Sequence, residues 1–235
     1  MNLDLAQLPQ HVAIIMDGNR RWARAKGLNP LEGHKFVTDN VIERLADRCL
    51  ELGIPHLTLW AFSTENWDRD TEELTGMMQL FRYGLKRKAE DLFKKGVRIR
   101  VLGELDRFPE DIAKASKDWI ESSKDNSKLT VTFALNYGGR DEVTRAVNRF
   151  LSEKGSQAGV QLGPDELGEY LDTAGMPDPD LIIRPGGQLR LSGFMPWQSV
   201  YAELYFTDTL MPDFTTEQFD AALADYQARE RRFGK

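Results

Sequence analysis

The sequence predicts an α/β fold in which a mostly parallel central sheet is covered by helices. First, short apolar runs rich in β-forming residues alternate with longer runs of helical periodicity. Second, no internal repeat or low-complexity tract interrupts this alternation. Third, the chain has 235 residues, of which 41% are hydrophobic, so it can bury a sizeable core. This size fits one domain over residues 1–235 better than two.

Six segments are predicted to be strands because each is a short apolar run bounded by polar or turn-forming residues. These segments are Val12–Met16, His56–Phe62, Val97–Leu102, Thr130–Leu135, Leu181–Arg184 and Ala202–Phe206. Helical patterns separate them, which is typical of strand–helix–strand units with parallel neighbouring strands.

Two long helices are predicted between these strands. The first covers Val37–Leu52, where apolar residues recur at helical spacing, and Gly53 stands where helices commonly end. The second starts at Asp70, whose spacing to Glu73 suits a capping box, and stops at Gly96. Shorter helices are predicted over Glu110–Ser122, Asp141–Leu151, Pro164–Leu171 and Thr216–Arg229.

Composition excludes several classes of protein. The net charge of −6 and the pI near 5.3 argue against a general nucleic-acid binder, so any anion site must be local. The single cysteine, Cys49, excludes an internal disulfide framework and fits a reducing cytoplasm. No run approaches the roughly 20 apolar residues of a membrane-spanning helix. The one linker-like stretch, Gly155–Gly163, is too short to indicate a domain boundary.

Polar residues that follow four of the strands indicate where ligands bind. The carboxyl ends of parallel strands meet at one edge of a sheet, so we expect these tails to share a crevice. Glycines allow close backbone approach, arginines bind phosphate oxygens with two hydrogen bonds, and a carboxylate can hold a hard cation. The sequence therefore predicts a phosphate-ester site. The tails are Asp17–Asn19, Ser63–Trp67, Asn136–Arg140 and Arg184–Gly187.

Missing motifs narrow the phosphate chemistry. The chain has no GxxxxGK[ST] loop, no GxGxxG after the first strand, no GxSxG turn and no DDxxD of the all-helical prenyl synthases. A phosphohydrolase or phosphotransferase that uses Asp17 and Mg²⁺ stays open at this point. Such an enzyme would need no apolar tunnel.

Motifs along nearly the whole chain resemble those of the cis-prenyltransferase family. They are HVAIIMDGNRRWA at 11–23, GHK at 33–35, AFSTENWDR at 61–69, NYGGR at 136–140, RPGGQLRLSGF at 184–194, YAELYFTD at 201–208 and RERRFG at 229–234. The resemblance implies an α/β homodimer with an apolar tunnel. It also implies Mg²⁺-dependent condensation of isopentenyl diphosphate with an allylic diphosphate such as farnesyl diphosphate, giving a Z-polyprenyl diphosphate.

The same resemblance implies roles for individual residues. Asp17 would be a catalytic carboxylate and a Mg²⁺ ligand, Glu203 would complete the metal environment, and Asn66 would orient the proton lost from isopentenyl diphosphate. The allylic diphosphate would contact Gly18, Asn19, Arg21 and His34, and isopentenyl diphosphate would contact Arg184, Arg190 and Ser192. Further expected substrate-binding residues are Arg20, Trp22, Phe62, Ser63, Glu65, Trp67 and Arg69, together with Arg232 and Gly234 acting across the dimer interface.

Some of these residues have an ordinary structural interpretation as well. A lone Trp22 or Trp67 is more often packing than recognition, and Glu73 can serve as a helix cap. Arg20 can belong to a solvated basic face that contributes positive electrostatic potential without contacting the substrate. The apolar stripe that includes Met77 can be core packing or a tunnel wall.

Three positions depart from the family pattern. Pro30 stands where the family usually has an arginine, and it supplies neither charge nor an N–H. Arg20 or Lys26 could replace that phosphate contact. Gln188 and Gly193 replace a usual glutamate and asparagine, which allows an altered substrate preference.

The sequence is compatible with more than one product length and with a catalytic or a non-catalytic chain. The resemblance favours undecaprenyl diphosphate for a cell-wall lipid carrier, whereas the motifs fit short- and medium-chain products equally. A non-catalytic subunit of a cis-prenyltransferase complex would share the fold, but such subunits typically lack the Asp-Gly-Asn and Asn-Trp residues that stand here at Asp17 and Asn66. We expect a cytoplasmic protein with peripheral membrane contact through its lipid product.

Overall fold

A parallel sheet forms the centre of the computed structural model, which describes residues 3–155 and 161–229. Within those residues the sheet has six strands in the order β3-β4-β2-β1-β5-β6, and every neighbouring pair is parallel. The six predicted strands are confirmed, and no end differs from the prediction by more than two residues. The strands are β1 (His11–Ile15), β2 (His56–Ser63), β3 (Val97–Leu102), β4 (Leu129–Tyr137), β5 (Leu181–Pro185) and β6 (Glu203–Thr207).

The strand order reverses at β1. The chain moves from β1 towards β2, β4 and β3 on one side, and returns to place β5 on the other side. The carboxyl ends of β1 and β5 therefore flank a topological switch point, which is where open α/β sheets form ligand crevices. Asp17 follows β1, and Arg184 lies near the end of β5. The topology thus brings two distant polar segments to one place.

Helices cover the sheet, and their predicted positions are confirmed apart from their ends and one additional short helix. That helix, α1, follows β1 directly and was not predicted, because its seven residues carry too few apolar positions for a periodic signal. The helices are α1 (Asn19–Ala25), α2 (Pro30–Phe36), α3 (Ile42–Leu52), α4 (Thr71–Tyr83), α5 (Ala89–Lys94), α6 (Glu110–Ser122), α7 (Gly139–Lys154), α8 (Pro164–Tyr170) and α9 (Thr216–Ala228). The predicted linker lies partly outside the described residues.

The first long helix begins earlier than predicted, at α2. The Asn29 side chain accepts a hydrogen bond from the Leu31 N–H at 2.9 Å, and Pro30 occupies the first helical position. Proline suits this position because its missing N–H would have no helical partner there. Pro30 therefore has a structural role at a helix start.

Both long helices contain a π-turn that the periodic pattern did not reveal. One turn, Val37–Val41, joins α2 to α3, and the other, Gly84–Lys88, joins α4 to α5. The two turns face each other, since a Cβ on Gly84 would lie 3.7 Å from the Thr38 methyl group. A π-turn adds about one residue to a helix, so apolar residues on either side keep a nearly helical pattern.

The main core lies between β1, β2, β5 and the helices α3 and α9. All five β1 residues are buried, as expected for a strand covered on both faces. A separate cluster around Phe62, Met77 and Phe108 packs under α4 and α6. In the described ranges, every helix is too short or too polar to cross a bilayer.

His11 is a fully buried histidine at the start of β1. Its Nε2 atom lies 2.7 Å from Thr58 Oγ1 and its Nδ1 atom lies 2.8 Å from the Pro177 carbonyl oxygen, so the neutral ring satisfies both contacts. Burial lowers the pKa of His11 to about 4, against an ordinary value of 6.5. The unfolded chain therefore binds more protons than the folded chain between these two pH values.

We expect the free energy of unfolding to fall on acidification because of His11. The His11 contribution is complete above about pH 6.5 and is lost as the pH falls towards 4; at pH 5 the loss is about 2 kcal/mol. Urea denaturation at pH 7 and pH 5 measures it. The variant His11→Gln will have a lower baseline stability but a smaller difference between the two pH values. An equal difference in both proteins would contradict the assignment.

Candidate active site

A cavity of about 270 Å³ opens beside the carboxyl ends of β1 and β2 and extends between the sheet and the helices α2 to α6. Its mouth is polar and the rest of its wall is apolar. The mouth residues are Asp17, Asn19, His34, Ser63, Asn66 and Arg69. The apolar wall includes Phe62, Met77, Phe81, Leu85, Leu92 and Ile99. The stripe predicted as either core or tunnel wall is therefore partly a cavity wall.

Asp17 joins the two sides of the switch point. Its Oδ2 atom accepts a hydrogen bond from Arg184 Nη2 at 3.0 Å, and Oδ1 lies 3.3 Å from Arg21 Nη2. Oδ1 also accepts from the Gly18 N–H at 2.6 Å. Two guanidinium groups around one half-exposed carboxylate leave positive charge at the mouth, which favours a polyanionic ligand.

Arg184 holds the loop that follows β5. Its side chain is 6% exposed, and Nη1 donates to Ser192 Oγ at 2.8 Å and to the Arg190 carbonyl oxygen. The Arg190 guanidinium is more exposed and donates to Gln188 Oε1 at 2.6 Å. Arg184 thus organises the loop, whereas Arg190 and Ser192 lie on it.

Gly186 allows the chain after β5 to pass beside Asp17. It has a φ of +98°, and a Cβ there would lie 2.7 Å from Arg21 Nη2 and 3.3 Å from Asp17 Cγ. Any larger residue would therefore strain the backbone and crowd the charged cluster.

The GHK segment brings His34 to the mouth by close helix packing. A Cβ on Gly33 would lie 2.0 Å from the Asn19 carbonyl oxygen, so only glycine lets α2 approach α1 this closely. His34 Nε2 and Asn19 Oδ1 are both buried without a hydrogen-bond partner in the described structure. Burial, with the positive charges of Arg69 and Arg20, lowers the pKa of His34 to about 4. A neutral imidazole and an amide are therefore available to a ligand.

The segment after β2 forms a short 3₁₀ turn that places Asn66 at the mouth. The Ser63 N–H donates to Asn66 Oδ1 at 3.1 Å, and the Ser63 side chain accepts from the Asn66 backbone N–H. The Asn66 side-chain NH₂ makes no hydrogen bond within the described residues, so it can donate to a ligand. Glu65 is exposed and is not among the residues that line the cavity.

Glu73 links the mouth to α1 instead of forming a reciprocal capping box with Asp70. Arg69 Nη1 donates to Glu73 Oε1 at 2.8 Å, and Arg20 Nη2 lies 3.4 Å from Glu73 Oε2. Asp70 alone caps α4, by accepting from the Glu73 N–H at 2.8 Å. Arg20 is therefore engaged at the rim, whereas Lys26 lies over the Trp22 ring at 4.9 Å and not at the mouth.

Two of the tryptophans expected to contact substrate are packing residues. Trp22 donates to Asp213 Oδ1 at 2.8 Å and packs on Phe36 with ring centroids 4.9 Å apart. Trp67 donates to Asn136 Oδ1 at 2.8 Å and packs edge-on against Phe62 at 4.9 Å. Trp67 therefore supports the cavity wall from behind Phe62, and Trp22 lies outside the wall.

Within one chain the structure does not bring Glu203, the expected second metal residue, together with Asp17, so the metal role of Glu203 stays a prediction. Glu203 starts β6 and pairs in register with Leu181, which in turn pairs with Val12. Asp17 lies at the other end of the parallel strands, roughly 16 Å farther along the strand direction at the usual strand rise. Glu203 Oε2 instead accepts from Arg229 Nη1 at 2.7 Å. The remaining expected residues, Arg232 and Gly234, lie outside the described part of the chain.

The NYGGR segment supports the loop after β5 through a buried network that sequence reasoning missed. Glu142 is fully buried, and it accepts hydrogen bonds from Tyr137 Oη at 2.6 Å and from Gln198 Nε2 at 3.1 Å. The Gly139 N–H donates to the Gly193 carbonyl oxygen at 2.8 Å. Burial raises the pKa of Glu142. A single glutamate inside a helical pattern gives no sequence signal for this role.

We expect Glu142→Gln to reduce the free energy of unfolding by about 1–3 kcal/mol, because an amide NH₂ would face donors in a buried site. Urea denaturation at pH 7 measures the change. The exposed Glu121, which pairs with Lys124, gives a matched control, and Glu121→Gln should change stability by less than about 0.5 kcal/mol. Equal effects of the two substitutions would show that the network does not stabilise the loop.

Comparisons with known proteins identify the family of this chain. Residues 15–234 match the Prenyltransf family model, described as "Putative undecaprenyl diphosphate synthase". An isoprenyl transferase of Aquifex aeolicus is 45% identical over 97% of both chains, and one of Clostridium perfringens is 43% identical over 97% of this chain and 90% of its own. The crystal structure of lavandulyl diphosphate synthase from Lavandula x intermedia with dimethylallyl diphosphate superposes with a TM-score of 0.92. It is 33% identical and covers 98% of this chain and 100% of its own.

The fold, the charged mouth and the apolar cavity therefore occur together in a chain whose relatives are prenyl-transferring enzymes. The family model extends over nearly the whole sequence, from the end of β1 to the penultimate residue. The protein belongs to the undecaprenyl diphosphate synthase family and is a prenyl-transferring enzyme.

Proposed function

We propose that the protein condenses isopentenyl diphosphate with an allylic diphosphate, farnesyl diphosphate by preference, in a Mg²⁺-dependent reaction that gives a Z-polyprenyl diphosphate. The observation that carries this proposal is the position of Asp17, Arg21 and Arg184 at the mouth of an apolar cavity. Diphosphates need fixed positive charge, and isoprenoid tails need a space from which water is excluded.

Asp17 is suited to hold Mg²⁺ together with substrate. Magnesium usually binds one or two carboxylates, several waters and substrate phosphate oxygens, so a single carboxylate at the mouth is a fitting protein ligand. Among the described residues no group of three or more acidic, histidine or cysteine side chains could hold a metal alone. The bound ion would neutralise charge on the diphosphates, and the unpartnered Asn19 Oδ1 is a second oxygen near this position.

In this proposal each of the two diphosphates is bound by its own group of residues. Arg21, Asn19 and His34 bind the allylic diphosphate with the Gly18 backbone, and Arg184, Arg190 and Ser192 bind isopentenyl diphosphate. Positioning both substrates side by side removes much of the entropic barrier to their reaction. Ser63 and Arg69 line the same mouth, while Phe62 forms the start of the tail-binding wall.

The reaction forms a bond between C4 of isopentenyl diphosphate and C1 of the allylic substrate, while the allylic C1–O bond breaks. The pair of electrons leaves with diphosphate, and isopentenyl diphosphate loses a proton from C2. The free NH₂ of Asn66 at the mouth can orient the isopentenyl diphosphate that loses this proton. Asp17 or the departing diphosphate accepts it, since both carry negative charge at this point.

We further propose a homodimer that makes undecaprenyl diphosphate for a cell-wall lipid carrier. Exposed apolar side chains on the loop after β5, namely Leu189, Val200 and Tyr201, support a partner surface. Arg232 and Gly234 would act across that interface. Short- or medium-chain products are the alternative. The net charge of −6 argues against nucleic acid as a partner, and we place the protein in the cytoplasm with peripheral membrane contact through its product.

Incubation with farnesyl diphosphate, radiolabelled isopentenyl diphosphate and Mg²⁺ tests the proposal. After dephosphorylation, the lipid is sized by chromatography, with a chelator-treated sample as the control. A ladder ending near eleven isoprene units is expected. Absence of any prenyl product, with release of phosphate from nucleotides, would instead favour a phosphohydrolase that uses Asp17. Absence of both activities would favour a non-catalytic subunit.

A further inference from the structure

Asn136 occupies an irregular position near the carboxyl end of β4. Phe62 and Ser63 are neighbours on β2, but their partners on β4 are Leu135 and Tyr137. Asn136 is therefore an extra residue on β4, and its φ of +49° lies in the left-handed region that favours glycine and asparagine. A bulge of this kind bends a strand and changes the direction of a side chain. The backbone itself thus sets where the Asn136 side chain points.

The Asn136 side chain joins two loops beside the cavity mouth. Asn136 is only 7% exposed, and its Oδ1 atom accepts a hydrogen bond from the Trp67 indole N–H at 2.8 Å. Its Nδ2 atom donates to the Glu104 carbonyl oxygen at 3.0 Å, just after β3. A buried amide bonded through both its oxygen and its nitrogen has a fixed orientation, because moving it would leave polar groups unpaired. Asn136 is therefore a rigid link between the segments that follow β2 and β3.

The residue Gly138 supports the other end of the turn that contains Trp67. This 3₁₀ turn after β2 spans Thr64–Asp68 and includes Asn66. A Cβ on Gly138 would lie 2.5 Å from Thr64 Oγ1, so the backbone of the NYGGR segment packs directly against the start of the turn. The segment 136–138 therefore contacts the turn near both of its ends.

The position of the Asn66 side chain depends on how this turn is oriented. Asn66 Oδ1 accepts from the Ser63 N–H at 3.1 Å, which fixes the side chain relative to the turn. Trp67 packs against Phe62 and Phe108, with ring centroids 4.9 and 5.2 Å apart, and this packing holds the turn against the cavity wall. Ring packing tolerates a wider range of orientations than a hydrogen bond does. The bond from Trp67 to Asn136 therefore supplies the directional constraint.

We propose that Asn136 is a positioning residue for prenyl transfer, because it sets the orientation of the turn that carries Asn66. The inference rests on the proposed function and deepens it, since there the free NH₂ of Asn66 orients isopentenyl diphosphate for loss of its proton. A small rotation of the turn would move this NH₂ away from isopentenyl diphosphate, while the arginines that bind the diphosphates stay in place. Left-handed backbone at a residue other than glycine is costly, and such costs persist where the surrounding structure enforces one geometry.

The variant Asn136→Gly tests the proposal, because glycine tolerates the positive φ and removes both side-chain hydrogen bonds. The single-turnover rate of the first condensation is measured with farnesyl diphosphate and saturating radiolabelled isopentenyl diphosphate. We expect this rate to fall by about 10- to 100-fold, the range that a misplacement of about 1 Å can produce. The dissociation constant of farnesyl diphosphate should not change, because the residues proposed to bind its diphosphate lie on or next to α1 and α2.

Two variants separate positioning from a general loss of stability. Asn126→Gly is the matched control, since Asn126 donates to the Val97 carbonyl oxygen at 2.9 Å, at the end of β3 opposite the mouth. It should lower stability to urea and leave the single-turnover rate unchanged. Trp67→Phe keeps an aromatic ring beside Phe62 and removes the indole N–H, so it should lower the rate as Asn136→Gly does. Because Trp67→Phe does not alter β4, it keeps the proposal testable if Asn136→Gly fails to fold by circular dichroism.

Dependence on Asn66 is the sharpest test of a positioning role. Adding Asn136→Gly to Asn66→Ala should slow the first condensation by less than about twofold further, because the group that Asn136 positions is already gone. Asn136→Asp tests rescue, since a carboxylate still accepts from the Trp67 N–H. Its single-turnover rate should exceed that of Asn136→Gly.

The outcomes distinguish this role from the proposed function. If the wild type makes prenyl product and Asn136→Gly reacts at the wild-type rate, the positioning role is wrong while the proposed function stands. A full additional loss of rate in the Asn66→Ala background, or an equal loss from Asn126→Gly, would likewise contradict a role through Asn66. If the wild type makes no prenyl product, the proposed function fails and the role of Asn136 fails with it.

Discussion

Asp17→Asn should reduce the maximal rate of prenyl transfer by about three orders of magnitude, the scale typical of removing a principal electrostatic group from an active site. The carboxylate is the acidic group at the mouth that contacts both Arg21 and Arg184, and it is the proposed Mg²⁺ ligand. Asparagine keeps the shape of the side chain, so the fold should persist.

Substrate affinity should respond differently from rate in this variant. Loss of the negative charge releases Arg21 and Arg184 towards the diphosphates, so the KM values should not rise. Steady-state kinetics with each substrate varied in turn measures this split. The exposed Asp106, which lies outside the cavity wall, gives the control Asp106→Asn with wild-type kinetics. Near wild-type turnover of Asp17→Asn would overturn the role of this carboxylate.

Arg184→Met should lower kcat/KM for isopentenyl diphosphate by roughly two to three orders of magnitude. Loss of two charged hydrogen bonds to the diphosphate would cost about 3–4 kcal/mol of binding, at the lower end of 1.5–3 kcal/mol each, and each 1.36 kcal/mol is tenfold in rate. The substitution also leaves Ser192 and the Arg190 carbonyl without their donor, so the loop after β5 loses its support. The KM for the allylic substrate should change much less.

Two comparisons sharpen this prediction. Arg190→Met should have a smaller effect, by about 1.5–3 kcal/mol per lost charged hydrogen bond, because Arg190 is exposed and its side chain bonds to the neighbouring Gln188 on the same loop. Arg98→Met, at an exposed position of β3 distant from the mouth, should have wild-type kinetics. If Arg184→Met affected both substrates equally, the assignment of separate binding groups would fail.

The sheet could be predicted from sequence because hydrophobic period and strand length are local properties. β1 has the continuous apolar run Val12–Ile15, and in β3 the apolar residues Val97, Ile99 and Val101 alternate with arginines. The π-turns could not be predicted in this way, since the apolar residues on both sides of Val37–Val41 still recur at nearly helical spacing.

Site residues that directly follow or end a strand could be predicted from the sequence. Residues whose position depends on how the strands are aligned with one another could not. Asp17 and Arg184 follow or end strands that the topology makes neighbours, and they are in direct contact. Glu203 belongs to an equally recognisable motif, but a motif does not say which end of a parallel strand a residue occupies. The indole N–H groups of Trp22 and Trp67 donate to side chains that are distant in sequence, and such contacts leave no local sequence pattern.

The long sequence separation between β1 and β5 has a consequence for biosynthesis. Asp17 and Arg184, which define the mouth, are 167 residues apart in the sequence. Val12 in β1 likewise pairs with Leu181 in β5, so β1 lacks its second neighbouring strand until β5 has been synthesised. The ribosome must therefore synthesise most of the polypeptide before the pocket can form. Until then the nascent chain carries an unsatisfied strand edge, which makes it a natural client for chaperones. Truncated translation products that end before β5 should be insoluble and unable to capture pyrophosphate.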